Sequence, residues 1–181
     1  ENKKISVTYE GSNLGIGSHD TMRLINVDLK TGGNLAIGTL DELHVGSGKF
    51  VDGSGISYSS ANGISSIEVG AEDNVYLYAH NLLSVNGLTF SSTIDDIYME
   101  SITINLSNVT FPQNSDVMLR SRDGTVNFGS SQAGSVNFIE KVNYGNTAIQ
   151  SASQFNGTDG HWDSTGLTLP NGKAAIKVRG F

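Results

Sequence analysis

The chain has 181 residues with 22 Gly, 2 Pro and no Cys, and Lys+Arg 11 against Asp+Glu 18 gives a net charge of −7. The lack of cysteine excludes disulfide scaffolds, Cys-ligated zinc, iron–sulfur clusters and thiol chemistry, and the acidic balance argues against a nucleic-acid binder, which needs a basic face. A hydrophobic content of 37% is enough for the core of one domain.

Charged residues make up only 16% of the chain, and its apolar set is dominated by β-branched types. Long amphipathic helices need Ala, Leu, Glu and Lys, so the composition predicts an all-β protein. No apolar run approaches the roughly 18–20 residues of a membrane-spanning helix. The opening Glu1-Asn2-Lys3-Lys4 has neither an initiator Met nor a signal-peptide core, as expected for a mature exported form and equally for an excised fragment. Export is the expectation.

In chain order, Ile5, Val7 and Tyr9 alternate as a first strand, assigned to an N-terminal cap over residues 1–13. From residue 14 to 145 a short "apolar, any, apolar" unit recurs: Leu14-Gly-Ile16, Leu35-Ala-Ile37, Ile56-Ser-Tyr58, Val75-Tyr-Leu77, Ile97-Tyr-Met99, Val117-Met-Leu119 and Val136-Asn-Phe138. The starts are 21, 21, 19, 22, 20 and 19 residues apart. Each unit follows a turn-forming residue: Asn13, Asn34, Gly55, Asn74, Asp96, Asp116 and Ser135. A second alternating pair then follows, as Val27/Leu29, Leu43/Val45, Ile67/Val69, Leu88/Phe90, Val109/Phe111, Val126/Phe128 and Val142/Tyr144. Beyond residue 145, Ser151 to Ser164 reads as a loop, and Leu167/Leu169 and Ile176/Val178 as C-terminal strands.

A turn, two strands and a loop every twenty residues predict a single-domain parallel β-solenoid with capping terminal strands. Stacked in register, Val75, Ile97, Val117 and Val136 form one buried column, Leu77, Met99, Leu119 and Phe138 a second, and Phe90, Phe111, Phe128 and Tyr144 an aromatic third. A β-sandwich is the alternative, although it needs no turn residue at a fixed phase.

The twenty-residue coil with an Asn or Asp turn resembles the right-handed parallel β-helices of secreted bacterial proteins, such as filamentous-haemagglutinin-type adhesins and autotransporter passenger domains. The stretch from Asp116 to Gly129, continuing into Ser135 to Gly145, is similar to segments of large repetitive exported proteins. The resemblance implies an extracellular spacer, adhesin or fibre component, and no family-specific catalytic motif is matched in this sequence.

Chemical constellations are sparse. His19, His44, His80 and His161 show no metal-ligand spacing and read as four separate surface or turn histidines. Asp95, Asp96, Asp116 and Asp123, with Arg120 and Arg122, read as turn residues and solvated pairs, with Glu100 opposite Arg120 on adjacent coils. Asp95, Asp96 and Asp116 share a corner where a calcium ion would find carboxylates, but no calcium-loop motif is present, and no cofactor or metal is expected.

The outward columns are unusual, because Tyr76, Tyr98 and Met118 at one position and Tyr78 and Ile139 at another form an apolar, aromatic stripe where solvent is expected. That stripe and the terminal strands, through Ile5, Val7, Tyr9, Ile176 and Val178, are the predicted interface. The expectation is a non-enzymatic subunit, extracellular or on the cell surface, that self-assembles into a fibre or adhesive layer, with a cell-surface or glycan partner besides itself. A carbohydrate-binding or polysaccharide-cleaving β-helix is the alternative.

Overall fold

The computed structural model describes residues 4–60, 63–112, 116–128, 142–143, 156–158, 161–163 and 175–180. Every regular element among them is a strand. The first coil contains β2 (Leu14–Ser18), β3 (Met22–Ile25) and β4 (Val27–Thr31), preceded by β1 (Ile5–Tyr9). The second runs through β5 (Leu35–Thr39) and β6 (Glu42–Gly46), then a hairpin of β7 (Lys49–Val51) and β8 (Ser57–Ser59), before β9 (Ser65–Glu68). The third is β10 (Asp73–Ala79) and β11 (Leu82–Phe90), the fourth the single long strand β12 (Ile94–Thr110), and the fifth β13 (Asp116–Phe128). After them come β14 (Val142–Asn143), β15 (Asn156–Thr158), β16 (His161–Asp163) and β17 (Ala175–Gly180).

Parallel pairing winds these coils into one continuous sheet, whose 13 strands include the antiparallel β14. The protein is a parallel β-solenoid, and its cross-section has three faces. On the first face Leu14, Leu35, Val75, Ile97 and Val117 are successive register partners. On the second, Met22, Leu43, Leu83, Ile104 and Val126 are. On the third, Val7, Leu29, Ile67 and Phe90 are. Because side chains alternate across a strand, in-register stacking turns each inward position into an apolar column. Leu35, Val75, Ile97, Leu77, Met99, Leu83 and Ile104 have essentially no solvent exposure.

The turn residues do more than bend the chain. Asn13 Oδ1 accepts from both the backbone N–H and the side-chain amide of Asn34, at 3.1 Å each. Asn34 Oδ1 in turn accepts from the N–H of Asn74 at 2.8 Å, and Asn74 Oδ1 from that of Asp96 at 3.0 Å. This ladder satisfies the N–H that opens each coil, a group left without a neighbour where the strand has not yet begun. Asn34→Ala should therefore cost about 1–3 kcal/mol, the penalty of an orphaned, partly buried donor. Urea denaturation checks this, and Asn34→Asp, which keeps an acceptor for Asn74, should lose less.

A second corner joins the second and third faces through left-handed backbone, with φ of 57° at Asn26, 116° at Gly46, 57° at Gly87 and 51° at Asn108. Only Gly and Asn enter this region at low cost, which explains their placement. Hydrogen bonds between coils continue through the bend, from Asn26 N–H to Gly46 C=O and from Ser47 N–H to Asn86 C=O, at 2.9 and 2.7 Å.

Several expectations are corrected. Ile56-Ser57-Tyr58 is no rung of the solenoid: Tyr58 pairs antiparallel with Phe50 in the β7–β8 hairpin, and Leu35 is paired directly with Val75. Each full coil crosses three faces rather than two, with β11 and β12 running unbroken around a corner, so the second alternating pairs divide between two faces, Leu43/Val45 on the second and Val27/Leu29 on the third. Phe90 and Phe111 do stack, at 5.4 Å between centroids and 14° between planes. Phe128 leaves that column, since its backbone lies opposite Leu106 on the second face. Val142 runs antiparallel to Val126 rather than adding a parallel rung. Val136, Phe138, Ile139, Tyr144, Leu167 and Leu169 lie outside the described residues.

Candidate functional site

Three places depart from a uniform stack: the hairpin over the second face, the outer side of the first face and the N-terminal end. The hairpin is chemically the richest. Leu43 and Val45 of β6 point inward, so alternation directs His44 outward. Its side chain nevertheless has 0% exposure. Phe50 and Tyr58, stacked at 5.6 Å, cover the imidazole with ring centroids 5.8 and 5.4 Å away.

Polar groups tie the hairpin down around this aromatic cap. Glu42 Oε2 lies 2.9 Å from His44 Nε2, and Glu42 Oε1 accepts the Gly53 N–H at 2.9 Å, so one carboxylate bridges sheet and hairpin. The Arg23 guanidinium stands over the Tyr58 ring at 5.0 Å, with Nη2 3.9 Å from Asp52 Oδ2. Asp52 Oδ1 accepts from the Ser54 N–H and hydroxyl and from the Ile56 N–H, at 3.1, 2.7 and 2.8 Å. The Ser54 hydroxyl and the Ile56 N–H hold its carboxyl below the usual range. Burial pushes the His44 imidazole down from its ordinary value, with Glu42 pulling the other way. Burial also pushes the Tyr58 phenol up.

His44 is thus a correction to the reading of four surface or turn histidines. His19 and His80 are exposed as expected, and His161 lies on β16. Among the described residues no group of three or more His, Asp or Glu side chains is placed to hold a metal ion. Asp96 and Asp116 are register neighbours, as are Glu100 and Arg120.

The predicted interface residues fall in three places. Tyr76 and Tyr98 occupy one outward column, Met118 follows Tyr98 in backbone register, and Tyr78 stands two residues further along its strand. Tyr76 is 44% exposed, its ring is 6.3 Å from that of Tyr98, and the Tyr98 hydroxyl donates to Glu100 Oε2 at 2.6 Å. Toward the N-terminal end the same columns hold only Gly15, Ala36, Gly17 and Gly38, so the tyrosines form a ledge above a flat floor. An open cleft of about 400 Å³ runs along the step between Gly38, His19, exposed Leu40 and Tyr78.

At the N-terminal end, Ile5, Val7 and Tyr9 are in register with Val27, Leu29 and Thr31, at positions whose equivalents in later coils are core. They are 58, 40 and 42% exposed, and Leu14, Ile16, Met22 and Leu24 below them are only partly buried. Among the described residues β1, β2 and β3 are each paired along one edge only. Ile176 and Val178 are placed by backbone register beside Val117 and Leu119, on the far side of the stack from β1.

No family model, curated protein or solved structure matches the chain. The architecture therefore stands on its own geometry: a parallel β-solenoid with a hairpin inserted in its second coil.

Proposed function

We propose that this chain is a structural β-solenoid subunit that associates end to end through its open N-terminal coil, in an extracellular fibre or adhesive layer. The observation carrying this reading is the apolar coil end, with Ile5, Val7 and Tyr9 exposed at core positions beside strand edges that, among the described residues, are paired on one side. Such edges recruit further strands unless they are covered, and exposed core side chains add the driving force of apolar burial. The C-terminal strand, through Ile176 and Val178, is the complementary end in this reading. No chemical step is required.

The test is light scattering and negative-stain imaging of the purified chain across a range of concentrations. Filaments or concentration-dependent oligomers are expected, and Val7→Glu should abolish them while the β-rich circular dichroism remains. A parent chain that stays monomeric at high concentration refutes the reading.

The tyrosine ledge favours a second reading, a glycan-binding solenoid, because exposed aromatic rings beside a side-chain-free floor can seat the flat face of a sugar ring. Calorimetry with polysaccharides on parent and Tyr76→Ala separates the two readings, since end-to-end association does not depend on Tyr76.

A further inference from the structure

The β7–β8 hairpin leaves and rejoins the solenoid wall at glycines with left-handed backbone, Gly46 and Gly48 on one side and Gly63 on the other, with φ of 116°, 99° and 78°. Between these points it lies across the second face as a strap, and its inner surface is Phe50 and Tyr58 over His44. The rungs on either side pair independently of it, as the direct register of Leu43 with Leu83 shows.

The protonation chemistry of His44 is set by its neighbours. A carboxylate only accepts hydrogen bonds, so Glu42 fixes the proton of the neutral imidazole on Nε2. The other nitrogen, Nδ1, is buried and has no hydrogen-bond partner. As an unprotonated acceptor against aromatic rings it is tolerated. Acid must add its proton there, creating a buried cationic N–H with no acceptor.

The charged and titratable groups facing the imidazole are Arg23 from β3, Glu42 from β6 with Asp41 just before it, and Asp52 and Tyr58 from the strap. β11 contributes the uncharged Ser84, the register partner of His44. Arg23 opposes a second cation, Glu42 and Asp52 favour it, and burial outweighs them.

We propose that the hairpin is an acid-released strap: protonation of His44 loosens it from the second face and uncovers the Phe50 and Tyr58 rings and the Arg23–His44–Ser84 column. The sign follows from linkage. With the strap open, His44 takes up a proton near its ordinary value of 6.5, and with the strap closed it does so only at lower pH. The contribution of neutral His44 to closure is therefore fully present above about pH 6.5 and weakens as pH falls below it, by up to about tenfold per unit until the closed-state value is reached. The depressed carboxyls of Asp41 and Asp52 lose their contribution in a separate window, below about pH 4.

Amide hydrogen exchange on the full chain, corrected for intrinsic rates, tests this at pH of about 7.5 and about 5.5. Protection of the strap amides of Phe50 and Tyr58 should fall several-fold at the lower pH, while protection at Val75 and Ile97 stays constant. His44→Phe, which keeps an apolar ring but cannot titrate, should abolish the difference. Strap protection that does not change with pH, or an unchanged pH response in His44→Phe, overturns the proposal. Should that variant fail to fold, NMR titration of the parent imidazole decides. A midpoint below 6.5 that coincides with ring-shift changes at Phe50 and Tyr58 supports the strap, and an unshifted midpoint or silent rings refute it.

Discussion

Gly46→Ala is expected to destabilise the protein by about 2–5 kcal/mol, from left-handed backbone strain and forced displacement of a neighbouring coil. Gly46 has a φ of 116°, and a β-carbon there would overlap the backbone carbonyl of Asn86. That carbonyl accepts the Ser47 N–H at 2.7 Å, so any relief of the overlap also loosens a hydrogen bond between coils. Gly15→Ala is the control. Gly15 has extended backbone and an added β-carbon meets nothing within 4 Å, so a small gain of about 0.4–1 kcal/mol is expected from the less flexible unfolded chain. Thermal and urea unfolding of both variants would show the contrast, and equal effects would contradict the corner geometry.

Leu77→Ala should cost a comparable amount, about 2–5 kcal/mol, the range for a buried Leu that leaves a cavity. Leu77 is fully buried on the first face between its register partners Ile37 and Met99. Both neighbours are held by their own strands, so the hole cannot close by a shift of one side chain. Tyr76→Ala, one residue away but 44% exposed on the opposite side of the strand, should lose no more than about 1 kcal/mol. Equilibrium unfolding of the pair directly measures the inward and outward assignment.

These contrasts also mark what the sequence could reveal. The columns headed by Val75 and Leu77 were legible because stacking demands chemically similar residues at equal intervals, and the Asn13, Asn34, Asn74, Asp96 series was legible because each coil needs an acceptor at its start. The hairpin was hidden by coincidence. Its Ile56-Ser57-Tyr58 imitates a rung in both spacing and pattern, and the one warning was Gly55 in a position where the true coils carry Asn or Asp. The burial of His44 was illegible for the same reason, since alternation along β6 directs it to solvent and only a nonlocal insertion covers it. The three-sided cross-section escaped because the left-handed bends at Asn26, Gly87 and Asn108 occupy one residue each and leave no gap in the apolar pattern.

The insertion also bears on how the chain can grow. Asn13 and Asn34 are 21 residues apart and Asn34 and Asn74 are 40, yet in both pairs the later backbone N–H donates to the earlier Oδ1 at one strand spacing. Roughly doubling the loop that a rung must close costs only about 0.6 kcal/mol of chain entropy, less than a single buried leucine returns. Extra sequence between the second and third faces is thus nearly neutral for the stack, because each coil answers only to the coils directly above and below it. The hairpin tip from Asp52 to Ile56, whose exposed backbone is already closed by its own Asp52 turn, is accordingly the natural place to graft a foreign peptide for display on the solenoid wall.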